Sequence, residues 1–307
     1  MTDQNKIPFN KPPKTFSEQV TILKSHGLII QDTNKAEFYL SQLNYYRLAA
    51  YCIPFETDHD THQILEGTTF DDVLNLYTFD RELRLLLMDA IERIEVSLRT
   101  QMAYQLSHRH NTSHPHLISN NFKDDRKYQN GRKKLEHEVN QSDEDFICHL
   151  RTKYREDLPP IWAVVELMTM GQLSKWFSNI NQRSDRMAIS QAYSLNEAIM
   201  TSFCEHLSLV RNKAAHHARL WNRVFPKQMK LPKNGPSDLI NSLLNLPNEN
   251  RNLKKLYNTL TIILYIMNII SPEHHWKSRV KNLIKTHDID TTKMGFPLDW
   301  ETRPLWT

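Results

Sequence analysis

Between Phe70 and Leu98, apolar side chains recur at Val73, Leu74, Tyr77, Leu83, Leu86, Leu87, Ala90, Ile91, Ile94 and Leu98. Spacings of three and four place them on one stripe of a helix, whereas a strand would need alternation. Such a stripe must be buried against further helices, so it commits the chain to a helix-packed core, with one or two long helices here. The polar side carries Asp80, Arg81, Arg84, Glu92, Arg93, Glu95 and Arg99, at separations that suit a solvated, ion-paired face.

The remainder reads in the same way. Ser17 is placed to cap a helix ending at His26, with Gly27 in the position just past its end. Further helices are expected over Lys35–Tyr51, over Pro160–Phe177 with Pro160 in the first turn, over Ser184–Tyr193, and over Asn250–Ile270 and Pro272–His287. Asp58–Gly67 and the histidine-rich Ser107–Ser119, broken by Pro115, read as loops, and the polar Asn121–Glu144 reads as an exposed helix or excursion. The tail aromatics in Thr292–Thr307 are expected to pin it to the body. No segment alternates convincingly and no internal repeat is present, so the expected fold class is all-α.

Hydrophobic residues at 39% and charged residues at 24% supply a core and argue against a disordered chain. Gly27, Gly67, Gly131, Gly171, Gly235 and Gly295 are all isolated. Phosphate-cradling loops need clustered glycines, so P-loop, kinase and dinucleotide readings fall away, and no nucleotide cofactor is expected. Cys52, Cys148 and Cys204 are far apart, which argues against disulfides or a cysteine zinc site and for a reducing, cytoplasmic setting. The N-terminal run Met1–Lys14 lacks the apolar stretch of a secretory signal. Thr259–Ile270, the most apolar run, is too short to span a bilayer and reads as a buried helix, so no membrane association is expected. A net charge of +4 permits a nucleic-acid partner without requiring one.

Ser194 and Glu197 have capping-box spacing, so a helix is expected to begin there. Met200, Phe203, Leu207, Val210 and Ala214 define its buried face. At roughly 100° per residue from Val210, Arg211 falls near 100°, Ala215 near 140°, Arg219 near 180°, Asn212 near 200°, His216 near 240° and His217 near 340°. Arg211 thus stands on one rim of a shallow outward saddle, Asn212 and His216 on the other, with the small Ala215 between. RNA cleavage without metal needs such groups: an imidazole to move protons at neutral pH and a guanidinium to hold phosphoryl oxygens bidentately. Asn212, one turn before His216, is placed to orient the imidazole. The chain offers one such helix, and Ala215 would let two copies approach across a two-fold axis, so a composite site in a homodimer is expected. The Arg-x4-His spacing also occurs at Arg109/His114 and Arg132/His137, but only Arg211/His216 follows a capped, core-packed run.

The run Leu209–Arg223 resembles the RNxxxH signature of HEPN-superfamily ribonucleases, and looks most like the Abi-like AbiD/AbiF group of abortive-infection proteins. Leu43–Phe55, Leu76–Arg99, Pro159–Phe177 and Met294–Trp300 extend the resemblance over nearly the whole chain. It implies a HEPN-like helical bundle with additional N- and C-terminal helices. Residues 1–67 would form an N-terminal helical region, 68–225 the core carrying the motif, and 226–307 helices and a tail packing on that core. The resemblance also implies phage defence by growth arrest, metal-independent RNA cleavage without a cofactor, and association with a small non-coding RNA. The family's arginine, asparagine and histidine fall on Arg211, Asn212 and His216, the expected catalytic set.

RNA is therefore the expected partner. Arg219, Arg223, Trp221, Lys227 and Lys230 follow the motif in the basic run Arg219–Lys233 and are the expected RNA-binding residues. Lys123–Lys134 and Lys277–Lys285 are further basic patches, and Tyr128, Trp221 and Phe225 interleave with basic residues as stacking platforms would. Each patch alone reads first as solvated surface. Histidines at 108/110, 114/116, 216/217 and 274/275 lack any defined zinc spacing, so no metal site is expected, and His217 reads as a core or supporting histidine. Glu92, Glu95 and Arg99 share one stripe, either as an intrahelical ion-pair ladder or as support for Arg211 from a neighbouring helix. The competing reading of the motif is non-catalytic: an RNA-binding scaffold that grips a small RNA and cuts nothing.

Overall fold

A computed structural model describes residues 10–247 and 250–307; most of the N-terminal run Met1–Lys14, which lacks the apolar stretch of a secretory signal, lies outside them. Among the described residues the chain forms thirteen α-helices and one two-stranded ribbon, an all-α fold. It divides into two compact units at Arg81/Glu82.

In the first unit, α1 (Phe16–Ser25) is capped by Thr15 rather than Ser17. The Thr15 hydroxyl accepts from the Glu18 amide while the Glu18 carboxylate accepts from the Thr15 amide. The single helix expected over residues 35–51 is two, α2 (Thr33–Gln42) and α3 (Tyr45–Cys52). Leu43 turns extended, and the Asn44 side chain then accepts from the Tyr46 amide and starts a new helix. Within the expected polar loop, β1 (Glu56–Asp58) and β2 (Gln63–Ile64) pair antiparallel. Buried Tyr51 donates to the buried carboxylate of Asp80 at 2.7 Å.

The long periodic segment is one continuous helix of 40 residues, α4 (Phe70–Arg109). From Glu82 onward it gives the second unit a buried row of Leu83, Leu87, Ile91, Ile94 and Leu98. Then come α5 (Asp125–Gln141), α6 (Asp145–Lys153), α7 (Ile161–Leu167), α8 (Met170–Asn179), α9 (Arg183–Gln191) and α10 (Glu197–Ala215). The helix expected over 160–177 breaks at Met168, because Thr169 and Gln172 form a reciprocal capping box that restarts it as α8. Pro160 is the N-cap of α7, one place before the expected first turn. Helices α11 (Ser237–Ser242), α12 (Tyr257–Ile270) and α13 (Trp276–Thr286) complete the unit.

Every residue of α12 from Tyr257 to Met267 is buried, and among the described residues no helix is long and apolar enough to cross a membrane. The tail packs Phe296 and Trp306 about Tyr257, and Lys277 and Lys281 donate to the main-chain carbonyls of Thr307 and Trp306.

His206 ties α10 to α12: a ring nitrogen meets the Thr259 hydroxyl at 2.9 Å, and the ring packs edge-on against Phe225. Burial holds His206 down at about 4, and burial with the charge of neighbouring His114 holds His116 at about 3. In the unfolded chain both titrate near 6.5. Below 6.5 the unfolded state therefore binds more protons than the folded one, and stability falls with pH until each folded value is passed. Chemical denaturation should show each histidine contributing a loss of roughly 2 kcal/mol between pH 7 and pH 5. The His206→Gln variant should lose about that much less over the same interval.

Candidate functional site

The motif lies at the C-terminal end of α10. The helix starts later than its capping-box spacing suggests: Asn196 is the N-cap, its side chain accepting from the Ala198 amide at 2.8 Å. Ser194 takes a positive φ of 50°, and Glu197 reaches sideways to Arg183 and Arg186 of α9, at 3.2 Å each, instead of back to a cap. Met200, Phe203, Leu207, Val210 and Ala214 form the buried face. On the other side Arg211 is half-buried, and Asn212 and His216 are exposed.

The helix also ends earlier than the angular reading assumed. The Ala218 amide donates to the Lys213 carbonyl at 2.9 Å and the His217 amide to the Ala214 carbonyl at 3.0 Å, which is a Schellman turn. His216 becomes the C-cap, and His217 takes the left-handed place, φ 56°, that glycine usually fills. His217 is therefore exposed and not part of the core, and Arg219 lies beyond the helix. Asn212 meets both catalytic candidates, but in different ways. Its side-chain oxygen accepts from Arg211 over a long 3.5 Å, while its main-chain carbonyl accepts from the His216 amide at 3.0 Å.

Arg211 is backed by α4. Arg99 donates through Nη2 to Glu95 and to the Met168 carbonyl, both at 2.6 Å, and through Nη1 to Glu166 of α7 at 3.2 Å. The Glu95–Arg99 ladder is thus present and continues into a second helix. Burial raises the Glu95 carboxyl above its ordinary value, while the charges of Arg99 and then Arg211 pull against that rise, so Glu95 stands within electrostatic reach of the motif arginine. At Gly171 of α8, an added Cβ would lie 3.3 Å from the Ser208 hydroxyl, so α8 and α10 pack closely one turn before the motif. Glu166 was not legible beforehand, because nothing in a short apolar run separates it from any surface glutamate.

The basic run after the motif folds back along α10. Lys227 pairs with Glu205 at 2.6 Å, and the Lys230 amide donates to Ser202 at 2.9 Å. Glu205 precedes His216 by three turns, roughly 16 Å along the axis, which separates Lys227 and Lys230 from the motif. Trp221, Phe225 and Tyr128 are buried, so none of the three offers a stacking face. Arg219 and Arg223 are half-buried near the end of α10, with the Arg223 Nε donating to the Arg219 carbonyl at 2.6 Å.

Among the described residues, no three His, Cys, Asp or Glu side chains group so that they could hold a metal ion. In the histidine-rich segment, Arg109 and His110 instead grip buried Asp185 of α9 at 2.7 and 2.8 Å. Hollows of about 830 and 690 Å³ lie elsewhere in the unit, the first lined in part by Lys230, and neither is lined by Arg211, Asn212 or His216.

A helical body that turns an arginine, an asparagine and a histidine outward at one helix end is the class of protein this geometry defines. The sequence model of the Abi-like protein family matches residues 38–222, and the chain belongs to that family. Membership connects it with abortive infection as a phage defence. Comparison with curated proteins and with solved structures returned no match.

The Schellman turn makes a checkable demand. His217→Gly should keep the fold, whereas His217→Val, β-branched at positive φ, should lower stability by about 1–2 kcal/mol in urea unfolding.

Proposed function

We propose that the chain is a metal-independent endoribonuclease of the HEPN type and the AbiD/AbiF kind, a cytoplasmic toxin of phage defence bound or controlled by a small non-coding RNA. The observation that carries this reading is the presence, at one helix end, of half-buried Arg211 and exposed His216 on either side of Asn212. A His216 imidazole would take the proton from a ribose 2′-hydroxyl as that oxygen attacks the adjacent phosphorus. The departing 5′ oxygen also needs a proton, and in a homodimer the second copy's imidazole would supply it. Arg211 would hold the charge that builds on the phosphoryl oxygens. Asn212 would keep the arginine and the histidine-bearing turn in register, and Arg219 and Arg223 would meet flanking phosphates.

The products are then a 2′,3′-cyclic phosphate and a 5′-hydroxyl. The purified protein should cut single-stranded RNA in EDTA and leave those ends. His216→Ala and Arg211→Ala should each slow cleavage by roughly 100-fold or more, with RNA affinity within a few-fold of the unaltered protein. Undiminished cleavage or growth arrest by the His216→Ala variant would rule out this catalytic assignment. RNA binding with no cleavage by the unaltered protein would favour the scaffold reading.

A further inference from the structure

Five of the six tryptophans, Trp176, Trp221, Trp276, Trp300 and Trp306, are 8% exposed or less, whereas Trp162 is 54% exposed. Its helix is not loose. Ile161, Ala163, Val164 and Val165 of α7 are all buried, so the Trp162 indole is held outward by a well-packed backbone. An indole held outward by a packed helix presents a preformed flat face to solvent.

Position says what that face can meet. Trp162 lies one turn before Glu166, on the same face of α7. Glu166 contacts Arg99 at 3.2 Å, Arg99 contacts Glu95 at 2.6 Å, and Glu95 stands in the field of Arg211. That path of ion pairs leads from the face of α7 that bears the indole toward the motif arginine. The path holds two carboxylates and two guanidiniums, so it neither repels nor strongly attracts a phosphate backbone. Stacking, which depends little on charge, is the attraction this stretch of surface can offer.

We propose that Trp162 is a base-stacking platform: an unpaired base lies flat on the indole while the adjoining backbone crosses Arg211 and His216. This rests on the ribonuclease reading for the identity of the strand. A lone aromatic face tolerates any base, so the platform selects unpaired over duplex RNA without reading sequence.

A short single-stranded 2′-O-methyl oligoribonucleotide lacks the attacking hydroxyl, so its binding to the full-length protein is measured apart from cleavage. Binding should quench a component of tryptophan fluorescence that is absent from the Trp162→Phe variant. Trp162→Ala should weaken the Kd by roughly 5- to 150-fold, and Trp162→Phe, which still stacks, should weaken it much less. Equal affinity of Trp162→Ala and the unaltered protein, or no binding by the unaltered protein, overturns the proposal. If sedimentation shows that Trp162→Ala splits a dimer while RNA affinity is unchanged, the indole is a subunit contact and the platform is likewise overturned. Cleavage of natural RNA that depends on His216 keeps the ribonuclease reading standing in those cases. Conversely, quenching and weakened binding as expected, with no cleavage by the unaltered protein, uphold the platform and remove the ribonuclease reading.

Discussion

A guanidinium drawn out of water must be met by acceptors, and Arg99 is met by three: the Glu95 and Glu166 carboxylates and the Met168 carbonyl. Removing the arginine would take from the largely buried Glu95 carboxylate its ion-pair partner at 2.6 Å, and breaking such pairs is costly. The acceptors come from α4, from α7 and from the turn that joins α7 to α8, so one side chain fixes that elbow against α4. Helix α8 in turn presses on α10 where Gly171 meets Ser208. The outward placement of the motif is the last step of a sequence of contacts that begins at Arg99.

The second constraint is the abrupt end of α10. Had the helix continued, Arg219 would have joined the motif face and the following residues would have projected into solvent. Instead the left-handed His217 turns the chain, Leu220, Trp221 and Phe225 enter the core, and Lys227 meets Glu205. The reversal leaves His216 at a corner of the surface, and it explains why Lys227 and Lys230, which follow the motif closely in sequence, are not its neighbours in space.

Features carried by local periodicity were legible in the sequence: the long stripe of α4, the apolar face of α10 and the burial of α12 from Tyr257 to Met267. Helix ends were less so, since several caps compete at each one. Asn196 displaced Ser194 because Glu197 found Arg183 and Arg186, Asn44 and Thr169 each interrupted an otherwise periodic run, and no glycine announced the stop after Ala215. Exposure of aromatics was illegible for a different reason. Trp221, Phe225 and Tyr128 sit among lysines and arginines in the sequence yet are buried, and Trp162 sits in an apolar run yet is open. Which face is covered depends on distant segments, and a linear pattern does not contain that information.

Helix α12 has a consequence for the chain as it is made. From Tyr257 to Ile270 it carries no charged residue, and several of its polar groups meet partners elsewhere: Asn258 the Leu244 main chain, Thr259 His206, and Thr261, which also donates to the Tyr257 carbonyl of its own helix, the Trp306 indole. Uncharged, β-branched segments of this kind self-associate when left uncovered. The ribosome delivers α10, and with it His206, before α12, whereas Phe296 and Trp306, which cover Tyr257 and Thr261, are made after it. A chain stalled or clipped shortly before Trp306 would carry a sticky helix without this cover, which makes residues 296–306 a safeguard against aggregation as well as a structural seal.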